Sequence, residues 1–288
     1  MILHCAFIGF GKSTTRYHLP YVLHRKDRWQ VAHIYRRRAK PEEQAPQYSH
    51  IHFTSDLEEV LNDPLVKLVV VCTHADSHFE YAKKALEAGK NVLVEKPFTP
   101  TLEEAKTLFA LANSKGLTVT PYQNRRFDSC FLTTKKVIES GKLGELVEIE
   151  SHFDNYRPLA ETNPGGPQNG EFYGLGVHTL DQIISLFGRP DHVSYDLRSL
   201  RNKANPDDTF EAQLFYGDMK AIVKTSHLVQ IDYPKFIVHG HKGSFVKYGI
   251  DQQETSLKAN IMPGEPGFGA DDSVGELVYV NEAGRSEE

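Results

Sequence analysis

A glycine-rich stretch directly after the first apolar run constrains the fold of this chain most strongly. The run Ile2–Ile8 leads into Gly9-Phe-Gly11-Lys-Ser-Thr14. Counted from Ala6, the spacing small-x-x-x-x-Gly-Lys-Ser is close to that of a P-loop. Counted from Gly9, the spacing Gly-x-Gly-x-x-small is that of a dinucleotide fingerprint. The first pattern would bind a nucleoside triphosphate and the second would bind the pyrophosphate of a dinucleotide.

The apolar pattern around the glycines favours the dinucleotide interpretation. A P-loop would require Phe7 and Ile8 to leave the strand that they continue. It would also require an acidic residue at the end of a second apolar strand to hold Mg²⁺. The best such strand, Lys67–Cys72, is followed by Thr73 and has no carboxylate at its end. We therefore predict a dinucleotide site and keep a P-loop kinase as the alternative.

Each residue of the fingerprint has a physical role in such a site. Gly9 allows the tight turn, and Gly11 lets the main chain approach the pyrophosphate. The helix that follows offers free N–H groups and its positive end to the phosphates. Thr14 stands in the third small position, where its hydroxyl could reach a phosphate. The predicted phosphate-binding residues are Gly9, Gly11, Lys12, Ser13 and Thr14.

Residues 1–123 alternate short apolar runs with helical patterns. This alternation is typical of an α/β domain with a doubly wound parallel sheet, the Rossmann arrangement. Predicted strands are Ile2–Ile8, Gln30–Tyr35, Ile51–Phe53, Lys67–Cys72, Asn91–Glu95 and Leu117–Tyr122, and predicted helices are Thr14–His24, Leu57–Leu61, His78–Ala88 and Leu102–Ser114.

Residues 124–288 have longer strand patterns and fewer helices. They predict an α+β domain with a large, mainly antiparallel open sheet. Predicted strands are Leu146–Asp154, His192–Arg198, Thr209–Phe215, Lys220–Leu228 and Phe236–Lys247, and predicted helices are Asn124–Ser140 and His178–Phe187.

The cofactor preference depends on the residues that follow the second strand. A dinucleotide site for NAD usually has a carboxylate there, about 20 residues after the glycines, to bind the ribose 2′-hydroxyl. This chain has Arg36, Arg37 and Arg38 instead. Because guanidinium groups suit a phosphate, the triplet predicts NADP as the preferred cofactor, with NAD still possible. A solvated basic turn is the alternative.

Charge and hydropathy exclude several other classes. The net charge of -5 and the absence of a massed basic segment argue against a nucleic-acid partner. No apolar run approaches the roughly 20 residues that span a bilayer. The start of the chain has neither a basic region nor a cleavage site, so we expect no signal peptide and a cytoplasmic location. The widely spaced Cys5, Cys72 and Cys130 indicate buried thiols and no metal site.

From Cys72 onwards the chain resembles the Gfo/Idh/MocA oxidoreductases. The most specific motif is Glu95-Lys96-Pro97 after the apolar Asn91–Val94, and the resemblance extends over essentially the whole chain. It implies a Rossmann domain and a C-terminal open-sheet domain, residues 124–288, which carries the substrate site and the oligomer interface. It also implies a small-molecule substrate, a homo-oligomer and a further helix beyond residue 288. The implied reaction is hydride transfer between a nicotinamide and a hydroxyl or carbonyl group.

The resemblance assigns roles to the residues of this motif. Lys96 would be catalytic, because its ammonium group beside the nicotinamide would stabilise alkoxide character on the substrate oxygen. Glu95 would contact the nicotinamide ribose, and Pro97 would fix the turn that directs Lys96. Thr73 and His78 would belong to the cofactor site, although the family's Thr-Pro-Asn is Thr73-His74-Ala75 here.

A second family signature coincides with Gly170–Asp181. His178 matches the general acid/base, whose ordinary pKa of about 6.5 suits proton transfer near neutrality. Gly174 stands where the family has its active-site Asp. This departure favours a second hypothesis, in which the chain is a non-catalytic dinucleotide-binding sensor or interaction protein.

A set of polar residues after the first domain is suited to bind a sugar, an acid or a sugar phosphate. Salt-bridged surface residues are an equally good interpretation of the same pattern. The predicted substrate-binding residues are Asn124, Arg125, Arg157 and Asp181.

Overall fold

The structure is a computed structural model that describes residues 2–288. It divides into two compact units. The first contains the residues up to Tyr122 together with Gln253–Phe268, and the second contains Gln123–Gln252 and Gly269–Glu288. Because Gln253–Phe268 belongs to the first unit, a single boundary after residue 123 does not separate the two units completely. Within residues 2–288, no helix is long and apolar enough to cross a membrane.

The first unit is built on a parallel sheet of six strands in the order β3-β2-β1-β4-β5-β6. This is the predicted Rossmann sheet. Successive residues of its first strand belong to the cores on opposite faces, Cys5 and Phe7 on one side and Ala6 and Ile8 on the other. The strands are β1 Leu3–Ile8, β2 Trp29–Tyr35, β3 His52–Thr54, β4 Val66–Val71, β5 Asn91–Val94 and β6 Val119–Pro121.

Helices cover both faces of this sheet. Their starts follow local chemistry: Asp56 accepts a hydrogen bond from the Glu58 N–H, and Thr101 forms a capping box with Glu104. The first predicted helix begins instead with a π-helical turn, Ser13–His18. The helices of this unit are α1 Leu19–His24, α2 Leu57–Leu61, α3 His78–Glu87, α4 Leu102–Ser114 and α7 Gln253–Lys258.

The second unit contains a mixed sheet of eight strands in the order β14-β13-β12-β11-β7-β10-β9-β8. Every neighbouring pair is antiparallel except β7 and β10, which confirms the mainly antiparallel prediction. The helices α5 Ser129–Glu139 and α6 Val177–Phe187 contribute apolar residues to its core. The strands are β7 Leu146–His152, β8 His192–Arg198, β9 Thr209–Tyr216, β10 Met219–Ser226, β11 Phe236–Gly240, β12 Gly243–Lys247, β13 Gly275–Val280 and β14 Ser286–Glu287.

The prediction of one strand over Phe236–Lys247 is wrong. The segment forms a hairpin in which Gly240 pairs with Gly243 across a tight turn. Both glycines are needed there, because an added Cβ would lie 2.3 Å from the Leu143 carbonyl oxygen at Gly240 and 2.4 Å from the Val278 carbonyl oxygen at Gly243. The polar segment His239–Ser244, which contains both glycines, separates two short apolar runs, and the prediction of one strand overlooked this turn signal.

Candidate functional site

The glycine turn lies at the carboxyl end of β1. Gly9 has a φ of 111°, and an added Cβ would stand 2.4 Å from the carbonyl oxygen of Cys72. Its N–H donates to the Tyr35 carbonyl oxygen at 2.8 Å. Only glycine fits this position. Because β1 runs through Ile8 before the turn, the P-loop alternative is wrong.

The residues after Gly9 form the start of the first helical segment. An added Cβ on Gly11 would meet no atom within 4 Å, so the main chain there is open to a ligand. Lys12 is exposed and Ser13 is half-buried. Thr14 is fully buried, and its hydroxyl donates to the Gly9 carbonyl oxygen at 2.8 Å. The expectation that this hydroxyl reaches a phosphate therefore gives way to a role in fixing the loop.

A cleft of about 890 Å³ opens beside this turn. The Gly9–Ser13 loop lies on one side of it, and basic side chains lie where β2 ends. The lining residues are Gly9, Phe10, Gly11, Lys12, Ser13, Tyr35, Arg36, Arg37, Arg38, Lys40, Cys72, Thr73, His74, Asp76, Ser77 and Tyr81. A concave site of this size, with main-chain N–H groups and cations, fits a dinucleotide.

Arg36 is held by a partner that the sequence pattern did not reveal. Its Nε donates to Oε1 of Glu43 at 2.7 Å and its Nη2 to Oε2 at 3.0 Å. This hydrogen bond raises the pKa of Arg36. Burial raises the pKa of Glu43, but Arg36 and the Lys40 N–H lower it by more, so the carboxylate stays charged. Of the three arginines expected to bind a phosphate, Arg36 is thus already paired, whereas Arg37 and Arg38 are exposed.

Lys40 ties the same loop to the glycine turn. Its Nζ donates to the Phe10 carbonyl oxygen at 2.6 Å, and its main-chain N–H donates to Glu43 at 2.8 Å. Glu43 therefore fixes both the arginine and the loop that follows β2. Glu43 lies seven residues after Arg36 in the sequence, and no single helix or strand contains both residues. Helical or strand periodicity therefore could not predict the pair.

Glu95 forms a buried network at the end of β5. Its Oε1 accepts hydrogen bonds from the Ser13 hydroxyl and from Nε2 of His18, the latter at 2.9 Å. Its Oε2 accepts from the Lys96 N–H at 3.0 Å. Burial raises the pKa of Glu95, but these partners, His18 first, lower it by more. The carboxylate thus fixes the main chain of Lys96, which is half-buried and precedes a cis peptide bond to Pro97.

His18, Cys72 and Glu95 also place potential metal-ligand atoms within 4.8 Å of one another. The direct His18–Glu95 hydrogen bond accounts for two of these residues. Burial raises the pKa of the Cys72 thiol, so it stays protonated. A hydrogen-bonded network under the glycine turn explains the cluster. Sequence patterns missed His18, because it reaches Glu95 across 77 residues.

Thr73 and His78 connect neighbouring strand ends. His78 is buried, with Nδ1 2.8 Å from the Pro97 carbonyl oxygen and Nε2 3.1 Å from the Thr73 carbonyl oxygen. The Thr73 hydroxyl accepts a hydrogen bond from Ser77 at 2.8 Å. His78 therefore positions the turn after Lys96, and Thr73 is half-buried at the cleft.

Several predicted substrate residues of the second unit already have internal partners. Arg125 donates to Asp128 at 3.1 Å. Arg126 forms a bidentate pair with Asp181, at 2.6 and 2.7 Å. Asn124 is half-buried and Arg157 is exposed. The salt-bridge interpretation therefore describes Arg125 and Asp181.

His178 lies at the start of α6 and is 6% exposed. Two residues earlier, an added Cβ on Gly176 would stand 3.1 Å from the Phe210 ring and 3.3 Å from the Phe172 ring. Gly176 therefore allows this helix to approach β9 closely. The neighbouring Glu171 lies 3.3 Å from Nε2 of His227, an interaction that the motif does not include.

The second unit also buries a lysine that sequence reasoning missed. Lys235 donates to the His152 carbonyl oxygen at 2.7 Å and lies over the Phe153 ring. Burial lowers its pKa to about 8. Burial also raises the pKa of the nearby Asp128 to about 6, even though Arg125 opposes the change. Lys235 follows Tyr233-Pro234 in a polar segment, so the sequence alone would predict an exposed lysine at this position.

A six-stranded Rossmann sheet with this glycine turn defines a dinucleotide-binding protein. Residues 3–123 match the Gfo/Idh/MocA family, described as an oxidoreductase family with an NAD-binding Rossmann fold. Residues 135–287 match the C-terminal alpha/beta domain of the same oxidoreductase family. The chain belongs to the Gfo/Idh/MocA oxidoreductases.

Individual relatives agree with this assignment. The chain is 87% identical to the uncharacterized oxidoreductase YhhX of Escherichia coli over 284 residues, which is 99% of this chain and 82% of YhhX. It is 36% identical to the scyllo-inositol 2-dehydrogenase (NADP(+)) IolW of Bacillus subtilis, over 92% of this chain and 74% of IolW. An oxidoreductase structure from Bacillus cereus superimposes with a TM-score of 0.95 at 49% identity, covering 99% of this chain and 82% of that one.

Proposed function

We propose that this protein is an NADP-preferring dehydrogenase or reductase that acts on a hydroxyl/carbonyl pair of a small polyhydroxylated substrate. The observation that carries the proposal is the fixed main chain of Lys96 at the end of β5, in a unit that also has a dinucleotide-sized cleft. The similarity to a scyllo-inositol 2-dehydrogenase (NADP(+)) supports a polyol substrate.

Lys96 has the chemistry to polarise the reacting oxygen. The nicotinamide, when bound, supplies the hydride acceptor or donor. The ammonium group of Lys96 would donate a hydrogen bond to the substrate oxygen and stabilise the negative charge that grows there as the C–H bond breaks. Glu95 supports this role, because its hydrogen bond to the Lys96 N–H fixes the backbone from which the side chain extends.

We assign the proton transfer to His178. A neutral imidazole would accept the hydroxyl proton during oxidation and return it during reduction. Asn124 and Arg157 suit a hydroxyl-rich ligand because they combine amide and guanidinium donors with at least partial exposure. Arg125 and Asp181 would act through their partners Asp128 and Arg126.

We propose that the preference for NADP comes from the basic side of the cleft. Glu43 occupies Nε and Nη2 of Arg36, so this guanidinium offers at most its Nη1 edge to a 2′-phosphate. The exposed Arg37 and Arg38 would then supply the charge that distinguishes NADP from NAD. A charge-assisted contact of this kind is worth about 1.5–3 kcal/mol, or about ten- to hundredfold in affinity.

The first test is turnover. Initial rates with NADP⁺ over a panel of sugars and polyols that includes scyllo-inositol, followed by reduced-cofactor absorbance, should identify a substrate. Lys96→Met should then lower kcat by about a hundredfold or more with a nearly unchanged Kd for NADPH, because only the reacting oxygen loses its partner. Lys84→Met, on the exposed face of α3, is the matched control. A Lys96→Met variant that keeps most of its kcat would exclude Lys96 as the catalytic group and favour a binding protein.

The second test is cofactor preference. The unmodified protein should bind NADPH at least about tenfold more tightly than NADH at low salt. Arg37→Ser combined with Arg38→Ser should remove most of this preference, and added salt should weaken NADPH binding more than NADH binding. Equal affinities of the unmodified protein for the two cofactors would refute the arginine site but leave the dehydrogenase proposal intact.

We also propose that the second unit forms a homo-oligomer. Every residue of β8 is exposed, including Val193, Tyr195 and Leu197, at an edge of the eight-stranded sheet. Exposed apolar side chains on a sheet edge favour association. Sedimentation velocity should give a mass that is a multiple of 32.6 kDa, and a monomer at micromolar concentration would contradict this proposal.

A further inference from the structure

The second family signature departs from its pattern at Gly174, and the space left by the missing side chain is not empty. An added Cβ on Gly174 would stand 3.1 Å from Oε2 of Glu171. The Glu171 carboxylate, which starts three residues earlier on the same helical segment, therefore lies against the surface from which an aspartate at position 174 would project. Glycine at this position leaves room for that carboxylate.

His227 holds Glu171 in this place. Its Nε2 lies 3.3 Å from Oε1 of Glu171, and the residue is 4% exposed. Burial, with the charges of Arg201 and Arg157, lowers the pKa of His227 to about 4, so the ring is neutral near neutral pH. Within residues 2–288 its Nδ1 has no hydrogen-bond partner. The consistent tautomer therefore carries its proton on Nε2, the ring nitrogen that faces Oε1 of Glu171.

The backbone of Glu171 is fixed as well. Its N–H donates to the Asp207 carbonyl oxygen at 2.9 Å, and the next N–H, of Phe172, donates to the Asp207 carboxylate at 2.8 Å. The Gly174 N–H donates to the Gly170 carbonyl oxygen at 2.9 Å, which keeps this segment helical. Glu171 is thus anchored at its main chain and at one carboxylate oxygen.

The position of this carboxylate matters because of His178. Gly174 lies in the π-helical turn Phe172–Gly176, and His178 lies in the first turn of α6, which follows directly. Four residues complete about one turn of an α-helix and nearly one turn of the wider π-helix, so the two positions lie on the same side of this segment. A carboxylate held at the surface of Gly174 is therefore on the side of the helix that carries His178. We propose that Glu171 is the acidic positioning residue for His178, in the role that the family signature gives to an aspartate at position 174. This inference rests on the proposed role of His178 in proton transfer.

The proposal makes Glu171 and Gly174 a matched pair. With the Glu171 carboxylate in its present position, any side chain at 174 would crowd it, whereas a short residue at 171 would leave that space to an aspartate at 174. Gly174→Asp alone would bring two carboxylates together, which is unfavourable for both. The double variant Glu171→Ala with Gly174→Asp would return a single carboxylate to the same place.

The experiment measures oxidation of scyllo-inositol by NADP⁺ as a function of pH. Glu171→Gln should lower kcat by about tenfold or more and move the limb that rises with pH towards lower pH, because a nearby carboxylate favours protonated His178. Gly174→Asp alone should also lower kcat, while the double variant should recover to within a few-fold of the unmodified protein. Glu139→Gln, on the exposed face of α5, is the matched control and should change neither quantity.

A second readout does not depend on turnover. The ring C–H signal of His178 in an NMR titration, assigned with His178→Asn, should have its midpoint shifted by about half a pH unit or more towards lower pH in Glu171→Gln. An unshifted midpoint in a folded Glu171→Gln protein would overturn the inference, as would a double variant no better than Glu171→Ala alone. A shifted midpoint in a protein that turns over no polyol would support the Glu171–His178 coupling and reject the proposed function.

Discussion

The cleft of the first unit is built differently from the polar cluster of the second unit, which consists of Arg125, Asp128, Arg126 and Asp181. The cleft is formed by main-chain turns at the ends of parallel strands, as where Gly9 lies against the Cys72 carbonyl. The polar cluster depends on pairs of side chains that are far apart in sequence, such as Arg126 and Asp181. A short motif determines the first kind of site, because strand ends meet at one edge of a parallel sheet. The second kind depends on partners that no spacing rule identifies.

The largest effect is expected at the glycine turn. Gly9→Ala would place a Cβ 2.4 Å from a backbone oxygen, at a φ of 111° that L-residues avoid. Backbone atoms at a strand end cannot move away cheaply, so we expect a loss of several kcal/mol in unfolding free energy and no measurable NADPH binding. Urea denaturation and a fluorescence titration with NADPH would measure the two quantities.

Gly11→Ala tests NADPH binding separately from the stability of the fold. Its added Cβ meets no protein atom within 4 Å, so the unfolding free energy should change by less than about 1 kcal/mol. NADPH binding should nevertheless weaken by about tenfold or more if the pyrophosphate approaches this residue. Unchanged affinity in Gly11→Ala would show that the pyrophosphate does not contact Gly11.

The next largest effect is expected at Glu43. Its side chain is 5% exposed and that of Arg36 is 15% exposed, so Glu43→Ala would leave a mostly buried guanidinium without its carboxylate. Removing one partner of a fully buried pair costs about 3–5 kcal/mol, and the remaining exposure of Arg36 reduces this to about 2 kcal/mol. Denaturation would measure the loss. Stability equal to that of the unmodified protein would mean that the loop after β2 does not depend on this pair.

A smaller effect should depend on pH through His227. Its pKa is lowered in the folded protein to about 4 from 6.5, so the unfolded chain binds a proton that the folded protein does not between these values. Stability should therefore fall as pH falls from 6.5 towards 4. His227→Gln, which can still donate to Glu171, should lose about 1 to 2 kcal/mol less than the unmodified protein between pH 7 and pH 5.

Asp128 acts in the opposite direction over the same range, since its pKa is raised to about 6 and protonation at lower pH stabilises the folded state. It is present in both proteins, so the difference between them isolates His227. Parallel pH profiles of stability for the two proteins would contradict a neutral His227 in the folded state.

The same contrast explains which features could be predicted from the sequence. The Gly9 turn and the parallel sheet of the first unit could be predicted from apolar periodicity and a local motif. Arg36 was correctly placed at the end of β2, but its partner Glu43 was not anticipated, because an irregular loop joins them. His18 and Lys235 were missed for a related reason: each is buried by contacts with residues more than 70 positions away.

The smallest effect is expected at the Arg126–Asp181 pair, and it distinguishes the two interpretations of the polar residues after the first domain. The Arg126 side chain is 47% exposed, so its bidentate pair is screened by water and salt. Arg126→Ala should cost no more than about 1 kcal/mol in unfolding free energy. Arg125→Ala should cost more, because Arg125 is 15% exposed, pairs with the buried Asp128 and lies 4.8 Å from the centre of the Phe153 ring. If the Arg126–Asp181 pair is only a surface salt bridge, the KM for scyllo-inositol should stay the same in Arg126→Ala. A severalfold rise in KM at unchanged stability would instead assign Asp181 and Arg126 to the substrate site. The second unit would then form its binding surface from pairs of side chains, whereas the first unit forms its cleft from main-chain turns.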